Sequence, residues 1–226
     1  MSGTLDRLQA QLDYQFSDPV PATLALTHRS ASRHNNERLE FLGDALLDFV
    51  VAEMLYRRYP DASEGDLSRQ RAAVVNKSAL AKVGRGLDLG DLIRLGTGES
   101  RSGGRQRDSI LADTVEALVA AVYLDGGLEP CRAVVDHLLG ALIASPKLAE
   151  SGKDFKTRLQ ELMQSRGLPL PQYLVVDITG EAHEQTFFVE CSVESLAESA
   201  RGSGASKRLA EQEAARLTLD ALGESE

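Results

Sequence analysis

Several things are missing from this 226-residue sequence, and each absence narrows what it can be. No apolar run reaches the roughly 20 residues that a helix needs to cross a bilayer, so no membrane partner is expected. The opening stretch MSGTLDRLQAQLDYQF is polar and lacks a signal-peptide core, which makes the cytoplasm the expected compartment. Cysteine is scarce: only Cys131 and Cys191 occur, far apart and without CxxC spacing. A disulfide framework and a structural zinc site are therefore not expected, and both thiols read as small buried side chains. A basic excess is also missing. With 25 Lys+Arg against 34 Asp+Glu, the net charge is −9, which argues against a general nucleic-acid coat but leaves room for local basic patches. The sequence has no HExxH, no Cys/His cluster, no Walker loop and no GxSxG, and its 4 histidines suggest no Ser/His/Asp arrangement.

What is present is ordinary in bulk: 42% hydrophobic and 26% charged residues, at a length that suits one or two globular domains. The first two-thirds of the chain reads as helical. A short helix is expected over 5–16, followed by two prolines and a helical turn in DPVPATLALTHRSAS. A long helix then runs from about 35 to Tyr59, where Pro60 stops it. Two further helices fit EGDLSRQRAAVVNKSALAKVGRGLDL. The Gly-, Ser- and Arg-rich LGTGESRSGGRQRDS reads as a mobile loop. Asp108 or Ser109 is then expected to cap a helix ending at Gly126-Gly127, and one more helix covers about 129–144. After a polar linker the pattern changes to a helix (KTRLQELMQSRG), strands in QYLVVDITG and QTFFVECSV, a short strand near 196–201 and a closing helix. The expected fold is multidomain: an all-α domain over 1–148, a linker at 149–153 and a small α+β domain (α-β-β-β-α) over 154–226.

The chemistry is carried by acids on apolar helices. In NNERLEFLGDALLDFVV, at about 100° per residue, Glu37, Glu40, Asp44 and Asp48 fall on one narrow stripe of an otherwise apolar helix. Alone, that stripe is equally compatible with a solvated helix edge. A second apolar helix repeats the pattern, however, with Asp113 and Glu116 spaced i, i+3 on one face. Facing carboxylates repel one another and lose hydration when enclosed. A hard divalent cation bound through oxygen neutralises them most economically. Mg²⁺ keeps several waters, which leaves room for a phosphate oxygen and an attacking water.

NNERLEFLGDALL, LTHRSAS and SGGRQRDSILADTVEALVAAVYLDGG resemble the ribonuclease III family, and the resemblance extends over nearly the whole chain. It implies a Mg²⁺-dependent endoribonuclease, with Mn²⁺ able to substitute, that cuts double-stranded RNA in rRNA precursors, mRNA and other structured RNA. It implies Glu40, Asp113 and Glu116 as metal ligands. Asp44 and Glu116 would be catalytic, with Asp44 positioning the nucleophilic water. Glu37 and Glu64 match supporting acidic positions. The implied products are 5′-phosphate and 3′-hydroxyl ends with a short 3′ overhang. The family works as a homodimer, with Phe41 at the dimer contact, although Phe41 reads equally well as ordinary core. Asp48 matches no catalytic position and reads as an exposed residue or an arginine's partner.

DFKTRLQELMQ, GEAHEQTFFVECSV and GSGASKRLAEQEAA resemble a double-stranded-RNA-binding domain. Thr157, Gln160 and Glu161 share the outer face of its first helix, suited to 2′-hydroxyls in the wide minor groove of A-form RNA. His183, between the first two strands, would enter the next minor groove. Ser206, Lys207 and Arg208 open the last helix, whose N-terminus favours phosphate. From Lys153 to Glu226 the balance is 8 Lys+Arg to 13 Asp+Glu, net −5, and Glu211 stands where many such domains carry another Lys. A modest, salt-sensitive affinity is expected, offset by dimerisation. Two competing readings remain: a non-cleaving RNA-binding regulator, which would be expected to have lost one of the four central acids, and an all-α nucleotide hydrolase, which leaves the second domain without a role.

Overall fold

A computed structural model describes residues 2–145, 148, 155–181 and 185–224. The chain divides into two compact units, Met1–Gly152 and Lys153–Glu226. The expected linker at 149–153 and His183 lie outside the described residues.

The described part of the first unit is helical: α1 (Ser2–Leu12), α2 (Pro19–Ala25), α3 (Glu37–Arg58), α4 (Glu64–Val75), α5 (Lys77–Gly86), α6 (Leu89–Leu92), α7 (Thr97–Arg101), α8 (Asp108–Gly126) and α9 (Leu128–Ile143). Helix α8 is its axis. Ile110, Leu111, Ala112, Thr114, Val115 and the run Ala117–Val122 are all buried, so apolar side chains point in every direction and neighbouring helices cover them. Helices α2, α3, α5 and α9 pack directly against it. Gly127, at φ +84°, takes the chain out of α8 in a conformation that suits glycine.

The crossing of α3 over α8 is unusually close. A Cβ on Gly43 would lie 1.8 Å from the carbonyl oxygen of Glu116, so only glycine lets the two backbones meet there. The segment before α3 is fixed as well. Buried Asn36 donates from Nδ2 to the carbonyl of Ala25 at 3.2 Å, and Thr27 forms a β-bridge with Arg94.

Three sequence expectations are corrected here. The stretch read as a mobile loop contains α7 and a 3-10 turn at Gly104–Gln106. Arg107 pairs with Glu99 at 2.6 Å and Arg105 donates to the carbonyl of Gly90 at 2.6 Å, which tie those turns down. Neither Asp108 nor Ser109 caps α8. The helix starts at Asp108 itself, whose carboxylate pairs with Arg85 and favours the helix dipole from the first turn. The third strand is Ala200–Gly204, not 196–201. Its glycines mask it from a propensity reading, yet packing requires them: a Cβ on Gly202 would lie 2.2 Å from the Ala214 nitrogen.

The second unit runs α10 (Phe155–Ser165), β1 (Gln172–Thr179), β2 (Thr186–Ser192), β3 (Ala200–Gly204) and α11 (Lys207–Ala221). Its antiparallel sheet has the order β1-β2-β3, with an irregularity between Val175 and Asp177. Leu159 and Met163 of α10 and Ala210, Ala214, Ala215 and Leu219 of α11 share a core with Val189 and Cys191 of β2. Small alanines on α11 let it lie close to the sheet. Cys131 and Cys191 are both buried free thiols, and the Cys131 Sγ donates to the carbonyl of Val119 at 3.9 Å.

Candidate metal centre and nucleic-acid interface

Because α3 and α8 touch at Gly43, the acids on either side of the crossing converge. Carboxylate oxygens of Glu40, Asp113 and Glu116 all lie within 4.8 Å of one another, and the three residues are half-buried. Such a cluster suits a hard cation and does not suit three free negative charges. Burial, followed by the charges of Asp44, Asp113 and Glu40, pushes the Glu116 carboxyl up to about 8. Burial raises Glu40 as well, reinforced mainly by Asp113 and Glu37. Burial raises Asp113 against the opposing charges of Lys77, His28 and Arg29. This set of hard oxygen donors therefore fits a divalent metal ion.

The remaining acids divide. Asp44 is exposed, one residue beyond Gly43, and its charge is the strongest of those acting on Glu116. Glu37, exposed at the first position of α3, lies 3.4 Å from Arg29. Glu64 stands apart from the trio at the start of α4, where it accepts a hydrogen bond from Ser68 Oγ at 2.8 Å and lines a groove with Phe49, Tyr56 and Arg71. Asp48 is 3.6 Å from Arg71, an arginine's partner outside the cluster. Phe41 is 82% exposed, so within one chain it is not core. Phe49 and Tyr56, further along α3, are also exposed, which leaves an uncovered aromatic face.

Sequence reasoning passed over four contributors. Gly43 brings the two helices together, and its signal was a helix-breaking residue placed between two acids. Lys77, exposed at the start of α5, and His28 and Arg29, in the quoted LTHRSAS, supply the positive charge around the trio. Their roles depend on tertiary packing, which spacing alone does not disclose.

On the second unit, Thr157, Gln160 and Glu161 are exposed along α10. Ser206 caps α11, its Oγ accepting from the Leu209 N–H at 3.3 Å. Lys207 and Arg208 follow, both exposed on the first turn.

A family model described as "Ribonuclease-III-like" matches residues 18–143, and one described as "Double-stranded RNA binding motif" matches residues 155–222. A protein named "Ribonuclease 3" from Pseudomonas fluorescens is 55% identical over 223 residues, covering 99% of this chain and 97% of its own length. The chain belongs to the ribonuclease III family. A Ribonuclease 3 from Pseudomonas aeruginosa is 52% identical over the same coverage. Among solved structures, the nuclease domain of ribonuclease III from Campylobacter jejuni matches with a TM-score of 0.60 and 41% identity, over 62% of this chain and 96% of that one. A second structure of that domain, at 42% identity and also a TM-score of 0.60, covers 61% of this chain and 96% of its own, and it is described in terms of flexibility in a region involved in dimer formation. Among the described residues, no helix of this ribonuclease III family member is long and apolar enough to cross a membrane.

Proposed function

We propose that this chain is a Mg²⁺-dependent endoribonuclease, with Mn²⁺ able to substitute, that cleaves double-stranded RNA. Its expected substrates are rRNA precursors, mRNA and other structured RNA in the cytoplasm. The observation that carries this reading is the half-buried carboxylate trio of Glu40, Asp113 and Glu116 in a chain that also contains a double-stranded RNA binding motif. Glu40, Asp113 and Glu116 would hold the cation. When bound, it supplies Lewis acidity that makes water more acidic and offsets charge on the phosphate. The chain's residues do the rest. Glu116 gives up its proton on binding, since its carboxyl titrates near 8 in the free cluster. Asp44, exposed beside it, accepts a hydrogen bond from the attacking water and orients it. The water oxygen adds to phosphorus as the bond to the 3′ oxygen breaks; the water sheds one proton and the leaving 3′ oxygen takes one up from solvent, giving a 5′-phosphate and a 3′-hydroxyl. Lys77 and Arg29 draw the phosphate towards the acids, with Glu37 3.4 Å from Arg29 as a supporting acid.

The chain would act as a homodimer, with one cut per subunit and a short 3′ overhang. The exposed aromatics Phe41, Phe49 and Tyr56 support a contact along α3, and Glu64, on the groove beside them, would act across it. A catalytic domain over 1–148, a linker at 149–153 and an RNA-binding domain over 154–226 complete the reading. In the second domain Thr157, Gln160, Glu161 and His183 would meet the minor groove, with Ser206, Lys207 and Arg208 on phosphate. The test is to incubate the protein with a long RNA duplex, with and without Mg²⁺, and map the ends. Staggered cuts with 5′-phosphates that require Mg²⁺ are expected; an intact duplex in both conditions would refute cleavage.

A further inference from the structure

An acid on a phosphate-binding face is an anomaly, and Glu211 is one. It lies four residues after Lys207 on α11, and a free carboxylate there would repel the backbone it is meant to approach. The geometry gives it other work. Glu211 Oε2 lies 2.7 Å from Lys156 Nζ on α10, and its Oε1 lies 3.9 Å from Lys207 Nζ. Only 15% of the Glu211 side chain is exposed, against 64% for Lys207. The neighbouring Gln212 accepts from the Lys156 backbone N–H at 3.3 Å, and the Lys156 ammonium sits 4.5 Å from the centroid of the Tyr173 ring. One lysine therefore joins the start of α10, the first turns of α11 and the first strand. An exposed ion pair contributes little, but a shielded one with extra hydrogen bonds can hold a fixed geometry.

We propose that Glu211 is a positioning residue for RNA binding: through Lys156 it sets the separation between the groove-facing side chains of α10 and the phosphate-facing Lys207 and Arg208 of α11. Adjacent minor grooves and the phosphates between them sit at fixed spacing on A-form RNA, so two contact elements must be held at a matching distance. The carboxylate also points Lys207 along the face. This inference rests on reading the second unit as the RNA-binding surface.

The test uses the full chain without divalent cation and an RNA duplex of about 20 base pairs, longer than the roughly 16 that such a domain spans. Affinity is measured across a series of KCl concentrations, at temperatures well below each variant's melting point. Glu211→Lys adds two units of positive charge, yet it should weaken binding about fivefold and leave the salt slope no steeper than wild type, because Lys156 and Lys207 lose their alignment. Glu211→Gln and Lys156→Met should each weaken binding about threefold, and the double variant no further than either single one. Glu211→Asp should retain most of the affinity. If Glu211→Lys binds tighter with a steeper slope, or if Glu211→Gln and Lys156→Met bind like wild type, the carboxylate is not a positioning group. Should Glu211→Lys fail to fold, the neutral variants still decide the matter, and a mere loss of stability would lower the melting point while leaving affinity unchanged. A wild-type chain that does not bind the duplex would instead overturn the RNA-binding reading itself.

Discussion

The two units handle charge in opposite ways. In the first, three acids are gathered and half-buried with no ion pair to a base among the described residues, and the Glu116 carboxyl is driven up to about 8. In the second, exposed Lys207 and Arg208 project from a capped helix start, and a shielded acid, Glu211, is paired with Lys156. On the proposed reading, the first unit holds its acids in an unfavourable state until a cation arrives, and the close α3–α8 crossing fixes them there. A groove-binding surface needs only correct spacing and solvated charges. The contrast can be broken at several points.

The largest effect is expected from Gly43→Ala. The new methyl would meet the Glu116 carbonyl at 1.8 Å, so α3 and α8 must separate. Overpacking of this kind destabilises by about 1–3 kcal/mol. Cleavage should fall by at least about 100-fold, as for a displaced catalytic group, while duplex binding measured without metal stays near wild type. A Gly43→Ala protein that cuts normally would show that the close crossing does not set the site.

A smaller effect is expected from removing residues 151–226. Binding at physiological salt should weaken, and the salt slope should shrink by about 2 for the phosphate contacts proposed for Lys207 and Arg208. Cutting at low salt should survive. A truncated chain that is folded yet inert at every salt concentration would mean that the two units do not divide the labour in this way.

The smallest effect concerns pH. The Glu116 carboxyl titrates higher in the folded protein than its ordinary value of 4.5, so its neutral form is favoured by folding. In the metal-free protein, the stability it contributes is full below about 4.5 and is lost as pH rises through about 8. Thermal melts in a chelator should decline over that window, and Glu116→Gln should flatten the decline. Cation binding has the opposite sign: it displaces the proton, so affinity should rise with pH up to about 8. Calorimetry in buffers of different ionisation enthalpy should detect the released proton.

The same contrast explains what the sequence made legible. The α-β-β-β-α order of the second unit is local, and strands rich in Val, Phe and Tyr announce themselves; only β3 was misjudged, because Gly202 and Gly204 serve packing rather than strand propensity. Glu40, Asp113 and Glu116 were visible as acids on apolar helices, but their meeting depends on Gly43, a tertiary fact. Phe41 was ambiguous because a phenylalanine on an apolar helix looks like core until the fold leaves it 82% exposed. Glu64 could be aligned but not located, and within one chain it lies away from the trio.

One measurement tests the division of labour most directly: cleavage in Mg²⁺ and duplex binding without it, on the same preparation of Glu116→Gln. Cutting should drop by about 10²–10³ or more, with binding within about twofold of wild type, since the substituted group lies in the first unit and the proposed RNA-binding face formed by Lys207 and Arg208 in the second. A variant that still cuts at close to the wild-type rate would contradict the assignment of the trio as the catalytic metal centre.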